Sequence, residues 1–181
     1  MPAAPSKKSS LPVVAADRNG VLQMIKVLVL CTGNSCRSVL GEALFNHLGK
    51  DRIKAFSAGS HPTGQINPHA LETLQRHALP VAGYQSQSWD EYAGQPMDIV
   101  ITVCDNAAGE SCPAYLESAV RAHWGLPDPA CVKGRNEAII AAFEETYQAL
   151  QQRINKMLAL ALESMSEQEL AAELNAIGKN N

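Results

Sequence analysis

Cys31 and Arg37 stand six positions apart in the stretch Cys31-Thr32-Gly33-Asn34-Ser35-Cys36-Arg37-Ser38. A cysteine attacks electrophilic centres as its thiolate, and a guanidinium presents a planar fork that matches a tetrahedral oxyanion. Between them, Gly33 and Asn34 are residue types that accept the left-handed backbone of a tight loop. In such a loop successive N–H groups converge on one point, so Thr32, Gly33, Asn34, Ser35, Cys36 and Arg37 form a candidate oxyanion cradle. A field that holds an anion also holds a thiolate, so Cys31 is expected to ionise below the ordinary thiol value of about 8.5. Ser38 is placed to hydrogen-bond that thiolate, to cap the following helix, or both.

A loop of this kind needs a strand ahead of it and a helix behind it. The apolar run 25–30 reads as a buried strand, and Val39, Leu40, Ala43, Leu44 and Leu48 fall on one face of a helix. The start of that helix adds its positive end to the cradle. Residues 53–58 read as a second strand ended by Gly59. Asn67-Pro68 reads as a helix cap followed by proline at the first helical position, opening a helix to His77. Residues 97–103 form a third apolar run, and 120–124 a weaker fourth strand. Asn136 is expected to cap a long helix whose apolar stripe runs Ile140, Phe143, Tyr147, Leu150, Ile154, Leu158 and Leu162. Ser166 and Glu169 form a capping box for a last helix. Strands alternating with helices predict an α/β fold: a doubly wound, four-stranded parallel sheet with helices on both faces. Right-handed crossovers then bring the functional loops to the carboxyl edge of the sheet.

That edge collects further candidates. Cys104 directly follows the third strand, on the same edge as Cys31, and Cys112 lies in the loop beyond it. The two are either structural thiols in a connection or partners in a redox relay. Asp128 sits in the stiff stretch Gly125-Leu126-Pro127-Asp128-Pro129 after the fourth strand, as a turn residue or as an acid facing the anion site. Cys36 and Cys131 are spectators or off-pathway disulfide partners. The five histidines show no ligand spacing, so no metal is expected. Trp89 and Trp124 read as core or rim residues.

A chain of 181 residues, 46% apolar and 18% charged, has the balance of one globular domain. A net charge of −3 argues against nucleic acid and against an anionic membrane surface. Five cysteines without framework spacing predict reduced thiols in a cytoplasm. Residues 1–23, rich in Pro and Ser, read as a disordered arm, and Met24 is an alternative start. A catalytic domain is expected over 24–165, with a C-terminal helix and tail over 166–181.

The stretch from Cys31 to Ser38 resembles the phosphate-binding loop of the low-molecular-weight protein tyrosine phosphatase family, which also contains arsenate reductases that work with cysteine pairs. The resemblance runs from Ile25 to the long C-terminal helix and implies a phosphatase-type phosphate-binding loop after strand 1. It favours the relay: Cys31 attacks arsenate, Cys104 attacks Cys31, arsenite leaves, and Cys112 takes over to give a Cys104–Cys112 disulfide. It gives Asp128 the general-acid role and Glu42 that of bracing the loop. The seven residues between Cys104 and Cys112 do not by themselves secure a disulfide geometry. Ala130 stands after Asp128-Pro129, where the phosphatases often carry an aromatic, which weakens a phosphotyrosine reading. The implied partners are arsenate, with phosphate or sulfate as competing oxyanions, and a reductant: thioredoxin, or glutathione with glutaredoxin. No cofactor, nucleic acid or membrane enters. The rival readings are a phosphatase that hydrolyses aryl phosphates through a phospho-cysteine, and a non-catalytic oxyanion or redox sensor.

Overall fold

A computed structural model of the protein describes residues 23–180. Most of the expected arm, residues 1–22, lies outside the described residues, as does residue 181. Four parallel strands, β1 (Ile25–Leu30), β2 (Ile53–Ala58), β3 (Ile99–Thr102) and β4 (Val120–His123), form one sheet in the order β2-β1-β3-β4. β1 is central because it is apolar on both faces: Val27, Leu28 and Val29 are fully buried. Leu30 pairs with both Ala58 and Thr102, and Thr102 pairs with His123. The segments that begin at Cys31, Gly59, Val103 and Trp124 therefore leave the sheet side by side.

Alternation along the strands divides the core in two. Val27, Val29, Ile99 and Ile101 join one cluster with the helices α1 (Arg37–Gly49), α4 (Asn136–Leu158) and α5 (Glu167–Lys179). Leu28, Leu30 and Val100 join a second cluster with Tyr92, Met97, Leu116 and Ala119. The cover is thus unequal. Long helices pack the first cluster, whereas short turns at Trp89–Tyr92 and Ala114–Leu116 supply the second. Pro80, Gly83, Gly94, Pro96 and Pro113 interrupt helix formation along that side. The helix α2 (Pro68–Arg76) packs on α4, and its cap is the expected one: Asn67 Oδ1 accepts from the His69 amide, with Pro68 following.

α1 lies close on β1, since a Cβ at Gly41 would sit 3.0 Å from Val29 Cγ1. This seats its N-terminus under the loop that follows β1. The long helix departs from expectation at both ends. Its N-cap is Arg135, with no side-chain cap, and Asn136 is the first helical residue. It stops at Leu158, short of Leu162, where the Arg52 guanidinium satisfies the freed carbonyls, donating to Leu158 O at 2.7 Å and Leu160 O at 3.2 Å. Ser166 and Glu169 form the expected capping box of α5. α5 packs on β4, and Leu170, Leu174 and Ile177 bury against Trp124 in the first cluster. Trp124 is fully buried, stacks on Phe45 at 5.9 Å, and donates its indole N–H to Leu174 O at 2.8 Å. It is a core residue, as expected. Truncation to Ala would cost roughly 3–5 kcal/mol. Among the described residues no helix is long and apolar enough to cross a membrane.

Candidate active site

After Leu30 the chain turns sharply through Asn34, whose φ of 43° is left-handed. The carbonyls of the turn point outward into a belt of neighbouring backbone. Thr32 O accepts from the His61 amide at 2.9 Å, Gly33 O from Thr63 at 3.0 Å, and Ser35 O from Asn67 at 3.1 Å. Ser86 Oγ also donates to Gly33 O, at 3.1 Å. The N–H of a trans peptide unit points opposite to its C=O. The amides of Gly33, Asn34 and Cys36 are therefore turned inward, toward the mouth of the loop. Gly59 makes the close approach of the belt possible: a Cβ there would lie 2.4 Å from Thr32 O and 2.8 Å from Cys31 O. The belt at 59–67 and 86–87 has no chemical signature of its own, because backbone groups do its work.

Asn34 is fully buried and all its polar atoms are engaged. Nδ2 donates to Ser38 Oγ at 2.9 Å and Ser57 Oγ at 3.0 Å, and Oδ1 accepts from the Gln87 amide at 2.8 Å. The Ser57 hydroxyl donates in turn to Glu42 Oε2 at 2.5 Å. Glu42 thus braces the loop from behind, in the way the resemblance implies, and burial pushes its carboxyl up to about 7. Ser38 accepts from Asn34 and does not cap the helix; the N-cap residue is Cys36.

Arg37 closes the other side. Nη1 donates to Leu126 O at 2.8 Å, Nη2 lies 3.4 Å from Asp128 Oδ2, and Nε is buried without a hydrogen-bond partner among the described residues. Asp128 is held in place by its own turn: it caps the short turn Pro129–Cys131, with Oδ1 accepting from the Ala130 amide at 3.0 Å. Arg37 and Asp128 are therefore brought together over the loop. An unpaired guanidinium N–H beside inward amides is a donor set for an oxyanion.

Cys31 and Cys104 are both buried and share an S–H···S hydrogen bond. Cys104 also accepts from the Thr32 amide and the Ala107 amide, each at 3.4 Å, and approaches Thr32 Oγ1 at 3.6 Å. The surroundings of Cys31 therefore include a second thiol. Cys104 is drawn down, first by the hydrogen bond from Cys31 and then by the Thr32 and Ala107 donors, and the two thiols titrate as a pair. Cys31 is pushed up, because its proton is engaged by Cys104 and because it is buried; Arg37 and the Gly33 amide oppose that rise. Sequence spacing suggested a thiolate at Cys31 because the second thiol in contact with it lies more than seventy residues away.

Cys112 is not part of this group. It is half-buried against the second core cluster, with Trp89 and Tyr115, on the other side of the short helix α3 (Asp105–Gly109). Cys36 is buried in the loop, and burial pushes it up to about 11. Cys131 is exposed, 3.8 Å from Asp128 Oδ2. All five cysteines are reduced. Among the described residues no cluster of three or more His, Cys, Asp or Glu side chains is arranged to hold a metal.

A parallel sheet with a buried cysteine and an arginine-closed anion loop at the end of its central strand defines a thiol enzyme acting on oxyanions. The family model for low molecular weight phosphotyrosine protein phosphatase matches residues 26–174, and the chain belongs to that family. An arsenate reductase of Halalkalibacterium halodurans is 34% identical over 128 residues, 71% of this chain and 91% of that protein. Among solved structures, an arsenate reductase in the phosphate-binding state superposes with a TM-score of 0.64 at 23% identity, over 75% of this chain and 98% of that one. A thioredoxin-dependent arsenate reductase of Corynebacterium glutamicum superposes with a TM-score of 0.55 at 24% identity, over 79% of this chain and 68% of that one. These two structures establish the shared fold.

Proposed function

We propose that this chain reduces arsenate to arsenite, with Cys31 as nucleophile and Cys104 as second thiol. The observation that carries the reading is the place of Cys104 under the loop, its sulfur accepting at 3.4 Å from the amide of Thr32, the residue next to Cys31. Ester hydrolysis needs one thiol, a cradle and an acid; a two-electron reduction needs a second thiol within reach of the first. The arsenate reductase that matches over 91% of its own length supports the same reading.

Arsenate, a tetrahedral oxyanion, sits among the inward amides and takes the unpaired Nε of Arg37. The proton shared by the two thiols passes to Cys104, and the Cys31 thiolate forms an S–As bond. Asp128, freed from Arg37 by the oxyanion, takes up a proton from solvent and gives it to the departing oxygen, which leaves as water. Cys104 loses its proton to an arsenic-bound oxygen and attacks the Cys31 sulfur. An S–S bond forms, the S–As bond breaks, and its electron pair stays on arsenic. Arsenic gains two electrons and two thiols become one disulfide. Cys112 then attacks the Cys104 sulfur, which frees Cys31 and moves the disulfide to Cys104–Cys112. That step requires the 105–112 segment to carry Cys112 from the second core cluster to Cys104. Thioredoxin is the external dithiol of the proposal, and a cytoplasmic setting supplies it. All these groups lie within 24–165, which we take as the catalytic unit.

The triad of Cys31, Arg37 and Asp128 equally fits hydrolysis of an aryl phosphate through phospho-Cys31, and this second reading rests on the match to a phosphatase family model. Against it, the exposed Ala130 offers no ring to hold a phenol. The deciding assay follows arsenite formed from arsenate with a thioredoxin system, with a glutathione and glutaredoxin arm and an aryl phosphate arm alongside. Continuous arsenite formation with thioredoxin is expected. Aryl phosphate hydrolysis without arsenite would establish the phosphatase instead.

A further inference from the structure

We infer that His123 is a positioning residue for Cys104, gripping the chain on both sides of that thiol; the inference rests on the reading of Cys104 as the second thiol. His123 ends β4. Its Nδ1 lies 2.8 Å from Thr102 Oγ1 and its Nε2 lies 2.9 Å from Asp105 Oδ1. Thr102 ends β3, two residues before Cys104, and Asp105 opens α3, one residue after it. A carboxylate only accepts, so Nε2 carries a proton and donates to Asp105, while Nδ1 and the Thr102 hydroxyl share the second hydrogen bond. One rigid ring thus spans the turn that carries the thiol. The bonds it protects are those from the Thr32 and Ala107 amides to Cys104 Sγ, each at 3.4 Å, together with the contact to Cys31.

Two further observations make this a built arrangement. A Cβ at Gly125 would fall 2.7 Å from His123 Nε2 and 2.9 Å from Asp105 Oδ1, so the first residue of the Asp128 loop lies flat on the pair. The His123 amide donates to Asn175 Oδ1 at 3.1 Å, which ties the ring's backbone to α5. The staple therefore joins the root of the Asp128 loop to the turn at Cys104. The Asp105 side chain is 93% exposed, and such a pair contributes little to stability; its value lies in where it holds the chain. Letting go of Asp105 frees α3 to swing when Cys112 must reach Cys104, while Thr102 keeps the ring in place.

The test is alkylation of Cys104 against pH in the reduced full chain, read peptide by peptide. The variants are Asp105→Ala, His123→Asn, His123→Gln and the Asp105→Ala/His123→Asn double. Loosening the turn weakens the two amide bonds to Cys104, so its alkylation midpoint should rise by about one pH unit or more in Asp105→Ala and His123→Asn. His123→Gln, whose amide nitrogen reaches Asp105, should restore most of the wild-type midpoint. The double variant should shift no further than the larger single, because both changes break the same His123–Asp105 bond. Asp105→Ala alters an exposed side chain and leaves the fold intact, which keeps the test decisive if a His123 variant fails to fold. Unmoved midpoints, or additive shifts, would overturn the inference. Arsenite formation by the same wild-type preparation reports separately: a wild type that makes none defeats the reduction reading, while the midpoints still judge the staple.

Discussion

The segments that leave β1 and β3 end in neighbouring thiols, yet they are held very differently. The loop after β1 is tied on every side: its carbonyls to the amides of His61, Thr63 and Asn67, its Asn34 to Ser38, Ser57 and Gln87, and its Arg37 to Leu126 O. The segment after β3 is a short helix pinned near its ends by two histidine–carboxylate pairs, His123–Asp105 at 2.9 Å and His61–Glu110 at 3.9 Å. The difference teaches how labour is divided. A preorganised cradle must not move when charge develops on the oxyanion. The third thiol, Cys112, must travel to Cys104, so the segment that carries it is lightly fastened.

Damage to the tied loop should stop all chemistry. Cys31→Ser should reduce both arsenite formation and any aryl phosphate hydrolysis by about a thousandfold or more, with an unchanged circular dichroism spectrum, since the nucleophile is lost and nothing replaces it. Residual arsenite formation near the wild-type rate would move the nucleophile to another thiol. Arg37→Lys keeps the charge and loses the fork; kcat/KM for arsenate should fall by about 100- to 1,000-fold. Equal kcat/KM would make Arg37 merely structural. Gly59→Ala acts one layer out. Its new Cβ cannot coexist with Thr32 O at 2.4 Å, so the loop must shift, and kcat/KM should drop by about tenfold or more. An unaffected Gly59→Ala enzyme would show that the loop tolerates displacement and would break the contrast with α3.

The smallest effect concerns the brace. Glu42 titrates at about 7 in the folded chain, pushed up by burial, against about 4.3 when unfolded. Its contribution is fully present below the unfolded value and is lost as pH rises through about 7. Glu42→Gln is uncharged throughout and still accepts from Ser57. Its Tm relative to wild type should therefore rise between pH 5 and pH 8, by about 2–6 °C. A difference that is flat across that range would mean that Glu42 is not held in a desolvated position.

Much of this was legible in the sequence, for physical reasons. β1 and β2 fall where the apolar runs place them, and Asn67-Pro68 caps α2, because these signals are local. The tight turn after β1 was legible because Gly33 and Asn34 are residue types that accept a left-handed backbone, which Asn34 adopts. The belt at 59–67 was not, since backbone amides carry no residue signature. His123 was read as a bland histidine because its partners, Thr102 and Asp105, are 21 and 18 residues away in the chain. The second thiol beside Cys31 was not legible, because only the fold brings Cys104 to the loop.

Mass spectrometry of the Cys104→Ser variant during a single turnover with arsenate tests the central claim most directly. The account predicts an arsenic adduct on Cys31 and no arsenite release, because no second thiol is there to break the S–As bond. Cys112→Ser should instead release one equivalent of arsenite and accumulate a Cys31–Cys104 disulfide. Sustained arsenite production with thioredoxin by the Cys104→Ser variant would contradict the relay.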